Sequence, residues 1–223
     1  VPTVLFIRHG LTAKTGPVLT GWTPGVPLDE RGAAQVRDVG ARLAGLPLDA
    51  VVTSPLERCV QTAQALLDAR DTPGGLRVEE RFGEVRYGDW TGRELKELAE
   101  EPLWKVVQAH PSSVVFPGPD GEPLAAAQLR AVRAVRDWNE LLGPEAVYAV
   151  CSHGDIIKAV VADALGLHLD QFQRIQVDPA SLTVIRYTEL RPFLVRLNDS
   201  GSDLSGLVPV NQGDGDAPVG GGA

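Results

Sequence analysis

Val4-Leu5-Phe6-Ile7-Arg8-His9-Gly10-Leu11-Thr12 is the stretch that decides the fold. A run that is apolar on both faces reads as a central strand of a parallel sheet, buried above and below. It ends on a guanidinium, an imidazole and a glycine. A second run of the same kind, Val147-Tyr148-Ala149-Val150-Cys151, leads into Ser152-His153-Gly154 far downstream. Two strand ends, each delivering a histidine followed by a glycine, predict one site built from both. Ligands of open α/β sheets bind beyond the carboxyl ends of the strands. The chemistry such a site invites is the handling of a phosphoryl group.

The intervening sequence fits that frame. A loop rich in Gly, Pro and Thr follows Thr12. Leu28-Asp29-Glu30-Arg31-Gly32 then opens an amphipathic helix, with Val36, Val39 and Leu43 at helical spacing and Gly45 and Pro47 as its stop. Residues 49–53 read as a short strand. Ser54 is placed to cap the next helix, with Pro55 in its first turn. That helix carries Arg58 and runs to about Ala69. The segment 77–92 reads as irregular, 93–109 and 122–142 as helices, 147–152 as a strand and 155–165 as the helix behind it. Residues 182–187 and 193–197 read as two closing strands, a hairpin at the edge. Strands alternating with helices predict an α/β fold with a mostly parallel sheet. Beyond Asn198 the chain is Gly, Asp, Ser and Pro with few large apolar groups. Such a composition cannot offset its ordering entropy. The organisation expected is therefore one folded domain over 1–198 and a disordered tail over 199–223.

Composition narrows the function. The chain has 223 residues, 43% hydrophobic and 22% charged, enough for a full single-domain core. A formal net charge of −8 argues against broad binding of nucleic acid or of an anionic membrane surface. No apolar run is long enough to span a membrane, and the N-terminus opens on a strand pattern without a signal-peptide pattern. The expected location is cytoplasmic. Cys59 and Cys151 form no disulfide framework or metal motif, and both read as reduced and buried.

Five side chains can be assembled into a phosphoryl site. Arg8 and Arg58 supply planar, bidentate donors for a dianion. Neutral His9 can attack phosphorus as a nucleophile. Glu84, held protonated, can give a proton to the leaving alkoxide and later activate water. His153, if protonated, would stabilise the transferring oxygens, and the backbone at Gly154-Asp155 offers N–H groups at a helix start.

Together, Arg8-His9-Gly10-x-Thr12, Ser54-x-x-x-Arg58-x-x-x-Thr62, Glu84-x-x-x-Gly88-x-Trp90-x-Gly92 and Ser152-His153-Gly154 resemble the histidine phosphatase superfamily. The likeness is to the branch that holds cofactor-dependent phosphoglycerate mutases and their phosphatase relatives. It covers about residues 3–197, with the motifs in the expected order. The resemblance implies a phosphoglycerate mutase-like fold, a three-layer αβα sandwich. It implies that His9 becomes the phosphohistidine, that Arg8, Arg58 and His153 contact phosphate, and that Glu84 donates the proton. No metal and no other cofactor is implied. Thr15 stands roughly where the mutases carry an asparagine. The region 93–123 is short and offers only Arg93, Lys96 and Lys105 where the mutases have a basic insert with paired arginines. Both departures favour a phosphatase acting on a small phosphorylated metabolite. Thr20-Gly21-Trp22 and Tyr87-Gly88 match the mutase pattern and keep a mutase as the alternative. A phospho-ligand-binding protein without turnover is a third reading, and a homo-oligomer is compatible with the sequence. The substrate-binding set is Thr15, Thr20, Gly21, Tyr87 and Gly154.

Other residues read as bystanders. Glu79, Glu80 and Asp89 are near rivals of Glu84, which its position before Gly88 and Trp90 singles out. His110 and His168 read as structural or surface histidines. Trp90 and Trp104 read as packing residues, and Asp29-Glu30 as solvated helix-end charges. The segment 93–130 is expected to form the lid that sets specificity, with Trp104, Val106, Val107 and Phe116 beside Arg93 and Lys96. Lys158 and Arg174 are placed near the pocket rim or on the surface.

Overall fold

The computed structural model describes residues 1–70, 75–202 and 220. Six strands form one sheet in the order β3-β2-β4-β1-β5-β6. β1 (Thr3–Arg8), β2 (Ala50–Thr53), β3 (Leu76–Val78) and β4 (Val147–Ser152) run parallel. β5 (Leu182–Tyr187) lies antiparallel to β1, and β6 (Pro192–Asp199) closes the edge as a hairpin with β5.

The alternation of side chains along β1 divides the core between two helical layers. Leu5 and Ile7 face α1 (Glu30–Leu43) and α2 (Glu57–Asp68), packing with Val36, Val39, Cys59 and Leu66. Val4 and Phe6 face the other way. There they join Trp90, Val107, Phe116, Val135 and Ile157 from the segments around α3 (Leu95–Leu98), α4 (Pro102–Ala109), α5 (Leu124–Leu142) and α6 (Gly154–Leu165). The expected three-layer sandwich is thus the observed one, with β1 and β4 at its centre.

Several local expectations change. Ser54 does not cap α2, which starts at Glu57 with Leu56 as its N-cap residue. Asp29 is no merely solvated charge, because its Oδ1 accepts the Gly32 N–H at 2.7 Å and caps α1. The helix expected over 93–109 is broken in two around Glu100 and Glu101, with Pro102 starting the second piece. Strand β3 overlaps the start of the segment read as irregular; three largely exposed residues are too short a run to declare a strand. The tail expected over 199–223 falls mostly on 203–219 and 221–223, outside the described residues. Asp199 still belongs to β6, and Gly220 lies in the cleft described below. Among the described residues, no helix is long and apolar enough to cross a membrane.

Candidate active site

The parallel register pairs Arg8 of β1 with Ser152 of β4, and the His9 N–H donates to the Ser152 carbonyl at 3.0 Å. His9 and His153 therefore leave adjacent strands side by side, their ring centroids 5.3 Å apart. Gly10 follows because nothing larger fits. A Cβ there would lie 2.7 Å from the Gly32 carbonyl oxygen and 2.9 Å from Val36. Thr62, one turn beyond Arg58 on α2, accepts the Gly10 N–H at 3.3 Å and donates to the Arg58 carbonyl at 2.7 Å. The four-residue spacing of Arg58 and Thr62 thus ties α2 to the end of β1.

The tautomer of His9 follows from its partners. Nδ1 lies 2.8 Å from the Gly10 carbonyl oxygen, which can only accept, so Nδ1 carries the proton. Nε2 keeps its lone pair and accepts the Arg58 Nε–H at 3.2 Å. Burial, then Arg58 and Arg8, hold the His9 pKa well below its ordinary value, so the ring is neutral. A neutral imidazole with Nε2 free of its proton is the state a nucleophile needs.

His153 is fully buried beneath this layer. Its Nε2 bonds Ser54 Oγ at 2.8 Å and its Nδ1 lies 3.3 Å from Arg58 Nη2. Burial and then Arg58 lower its pKa strongly, so these protein groups hold it neutral rather than protonated. Arg58 also donates to the Gly21 carbonyl at 2.8 Å, and Arg8 to the Val177 carbonyl at 2.7 Å.

Glu84 is 4% exposed, and its Oε1 accepts the Val85 N–H at 2.9 Å. Burial, followed by the nearby Asp155, pushes its pKa up to about 7, against the pull of Arg58 and Arg8. Its rivals face elsewhere: Glu79 pairs with Arg81, Glu80 with Arg86, and Asp89 is exposed. The motif glycine Gly88 has φ +54°, and a Cβ there would overlap the Pro117 carbonyl oxygen. That turn sets the loop between the acid and buried Trp90.

Arg8, His9, Arg58 and Glu84 share one cleft with Thr15, Thr20, Gly21 and Tyr87. Val18, Leu19 and Leu95 form its apolar wall, and Thr12 and Gly220 also border it. Two expected members are displaced. His153 touches Arg58 without lining the cleft, and Gly154, though buried at the start of α6, does not line it either. Of the segment expected to form the lid, Leu95 borders the cleft, and the residues singled out within it lie elsewhere. Val107 and Phe116 are core residues with Trp104 and Val106 packed on them, while Arg93 pairs with Glu101 and Lys96 with Glu94. Lys158 is buried rather than on the rim, whereas Arg174 is exposed. Both cysteines are free and buried, and His110 and His168 are exposed. Among the described residues, no group of three or more His, Cys, Asp or Glu is placed to hold a metal ion.

Sequence reasoning missed Arg130. From α5 its guanidinium donates to the carbonyls of Arg81 (2.6 Å), Gly83 (2.9 Å) and Glu84 (2.9 Å), and pairs with Glu122 at 2.7 Å. Trp22 Nε1 donates to the same Glu84 carbonyl at 2.6 Å. The only sequence signal for Arg130 is a charge on an amphipathic helix, which ordinarily means solvent. Replacing Arg130 with methionine strands the Arg81 and Gly83 carbonyls, leaves the Glu84 carbonyl to Trp22 alone and removes the ion pair of Glu122, and is expected to destabilise the fold by about 2–4 kcal/mol. Urea unfolding of the variant measures this, and an unchanged midpoint would show that the clamp carries no stability.

A neutral imidazole, two cleft-lining guanidiniums and a carboxyl with a raised pKa meet in one cleft, an arrangement suited to phosphoryl transfer. The chain belongs to the histidine phosphatase superfamily (branch 1), whose family model matches residues 4–200. It is 31% identical over 180 residues to phosphoserine phosphatase 1 of Hydrogenobacter thermophilus, covering 77% of this chain and 80% of that one. It is 28% identical over 181 residues to 2,3-bisphosphoglycerate-dependent phosphoglycerate mutase 2 of Gloeobacter violaceus, covering 78% and 81%. In fold it resembles a phosphoserine phosphatase from Entamoeba histolytica solved with phosphoserine. The TM-score is 0.79 at 21% identity, over 90% of this chain and 98% of that one. The enzyme is a phosphatase or a mutase of the phosphoglycerate mutase-like fold.

Proposed function

We propose that this enzyme is a metal-independent phosphatase that hydrolyses a small phosphomonoester through a phosphohistidine at His9. The observation that carries the reading is the pairing of an unprotonated His9 Nε2 with a buried Glu84 whose pKa is pushed up to about 7, in one cleft. Nε2 attacks phosphorus, the P–O bond to the leaving group breaks, and Glu84 passes its proton to the departing alkoxide. The Glu84 carboxylate then takes a proton from water as the water oxygen attacks phosphorus. The P–N bond breaks, and His9 and protonated Glu84 are restored. Arg8 and Arg58 meet the charge that spreads over the phosphoryl oxygens. A bound dianion also supplies the negative charge that favours a proton on His153.

Hydrolysis is favoured over a mutase reaction by what faces the cleft. Among the described residues lining it the cations are Arg8 and Arg58, and Val18, Leu19 and Leu95 line it as well. Arg93 and Lys96, the other candidates for gripping a second phosphoryl group, are bound to glutamates. The fitting substrate is a small, partly apolar metabolite with one phosphoryl group. With 3-phosphoglycerate, phosphate release is expected to exceed isomerisation, with or without a bisphosphorylated primer. Following both products by NMR tests this. Isomerisation running well ahead of release, and only with primer, would make the enzyme a mutase.

A further inference from the structure

Thr20-Gly21-Trp22-Thr23 is a tight turn set between the two arms of the site. The Thr23 N–H and hydroxyl both donate to the Thr20 carbonyl, at 3.0 and 2.7 Å, and Gly21 has φ +51°. Thr20 and Gly21 line the cleft, whereas Trp22 does not, and the reaction above makes no use of its side chain. Adjacent residues of this turn engage opposite arms. The Gly21 carbonyl accepts Arg58 Nη2 at 2.8 Å, and the same guanidinium donates through Nε to His9 Nε2 at 3.2 Å. Trp22 Nε1 donates to the Glu84 carbonyl at 2.6 Å.

The indole is gripped from both sides of Glu84. It packs so closely on the residue before the acid that a Cβ at Gly83 would overlap its ring carbon Cζ2. Two residues beyond the acid, the Arg86 guanidinium stands 4.1 Å from the indole centroid and is itself tied to Glu80 at 2.8 Å. The Glu84 carbonyl thus takes two donors, Trp22 and Arg130, and two donors on one oxygen fix the plane of the peptide from which the acid side chain springs. The two differ in what they are anchored to. Arg130 ties the acid loop to α5, while Trp22 ties it to the turn that holds Arg58.

We propose that Trp22 is a positioning residue for proton transfer: its indole holds the backbone of Glu84 in register with Arg58 and His9. The inference rests on the reading of Glu84 as the general acid. The proton must reach the leaving oxygen as phosphorus passes to His9, so the acid has to be placed relative to the nucleophile and not only within its own loop. A displacement of about 1 Å can cost on the order of 10²-fold in rate. A clamp to α5 cannot set that distance, and two neighbouring residues of one turn can.

The test is a double-mutant cycle read on one alkyl and one aryl phosphate. Trp22→Phe keeps an aromatic ring against Gly83 and removes the N–H. It is expected to lower kcat for the alkyl phosphate about tenfold more than kcat for the aryl phosphate, with KM values moving less than about twofold. In a Glu84→Gln background the same substitution should lose this selectivity, because no proton is left to deliver. Equal losses on both substrates, a loss carried by KM, or an undiminished selective loss in the Glu84→Gln background each overturn the inference. If Trp22→Phe does not fold, Arg86→Met takes its place: it frees one face of the indole and should shift the alkyl-to-aryl ratio in the same direction, and an unshifted ratio overturns the inference. If Glu84→Gln itself shows no dependence on leaving group, the reading of Glu84 fails. If it does show that dependence and Trp22→Phe slows both substrates alike, only the inference fails.

Discussion

Replacing His9 with alanine is expected to lower phosphate release from an aryl phosphate by several orders of magnitude, while excess EDTA leaves the unmodified enzyme at full rate. Removing a nucleophile takes away the covalent route itself, and no neighbour can substitute for it. The ring nitrogens of His153 are taken up by Ser54 and Arg58, and Cys59 and Cys151 are buried. Burial pushes the Cys59 thiol up to about 12, so it carries almost no thiolate at neutral pH. The unmodified enzyme, quenched during turnover with labelled substrate, should hold an acid-labile, alkali-stable label on His9. Full activity in His9→Ala would refute the mechanism, and loss of activity in EDTA would refute its independence of metal. Tight vanadate binding without turnover on any phosphomonoester would mark a phospho-ligand-binding protein instead.

The second large effect belongs to Glu84 and depends on the substrate. A poor leaving group such as an alkyl alkoxide needs a proton as it departs, whereas an activated phenolate leaves unaided. Glu84→Gln should therefore slow hydrolysis of an alkyl phosphate by roughly 10²–10⁴-fold and that of an aryl phosphate far less. The sign of the pH effect follows from the raised pKa. The protonated form is the active donor, so alkyl phosphate hydrolysis should decline as pH rises through about 7, and this decline should flatten in the glutamine variant. Equal losses on both substrates would mean that Glu84 is not the acid.

The parts of this molecule legible in the sequence are those that local pattern dictates. β1 and β4 declare themselves because both faces are buried and their runs are continuously apolar. Arg8 and His9 follow because they end β1, Arg58 and Glu84 follow from the residues spaced around them, and the cleft gathers all four. What stayed hidden is held by distant pairing. Arg130 and Glu122 belong to no motif, and only the fold brings them together against the carbonyls of Arg81 and Gly83. Asp155 and Lys158 lie one turn apart on a helix whose burial a single sequence does not reveal. The hydrophobicity of Trp104, Val106, Val107 and Phe116 suits a substrate wall as well as a core. In the fold their neighbours are Trp90 and Tyr87, and they fill the interior.

The pairing of Arg8 with Ser152 places both histidines one residue past a hydrogen-bonded ladder at the middle of the sheet. Their separation is thereby fixed by the most rigid spacing a polypeptide offers, about 4.8 Å between neighbouring strands. The surfaces that meet the rest of a substrate belong to the loops carrying Val18, Leu19 and Thr20 and to the short helix carrying Leu95. Such connections tolerate insertion and exchange far better than an inner strand does. The machine therefore divides into a fixed anvil and a replaceable mould. Grafting another loop over residues 16–18 should change which phosphate ester is cut while leaving the rate on a minimal aryl phosphate nearly as it was.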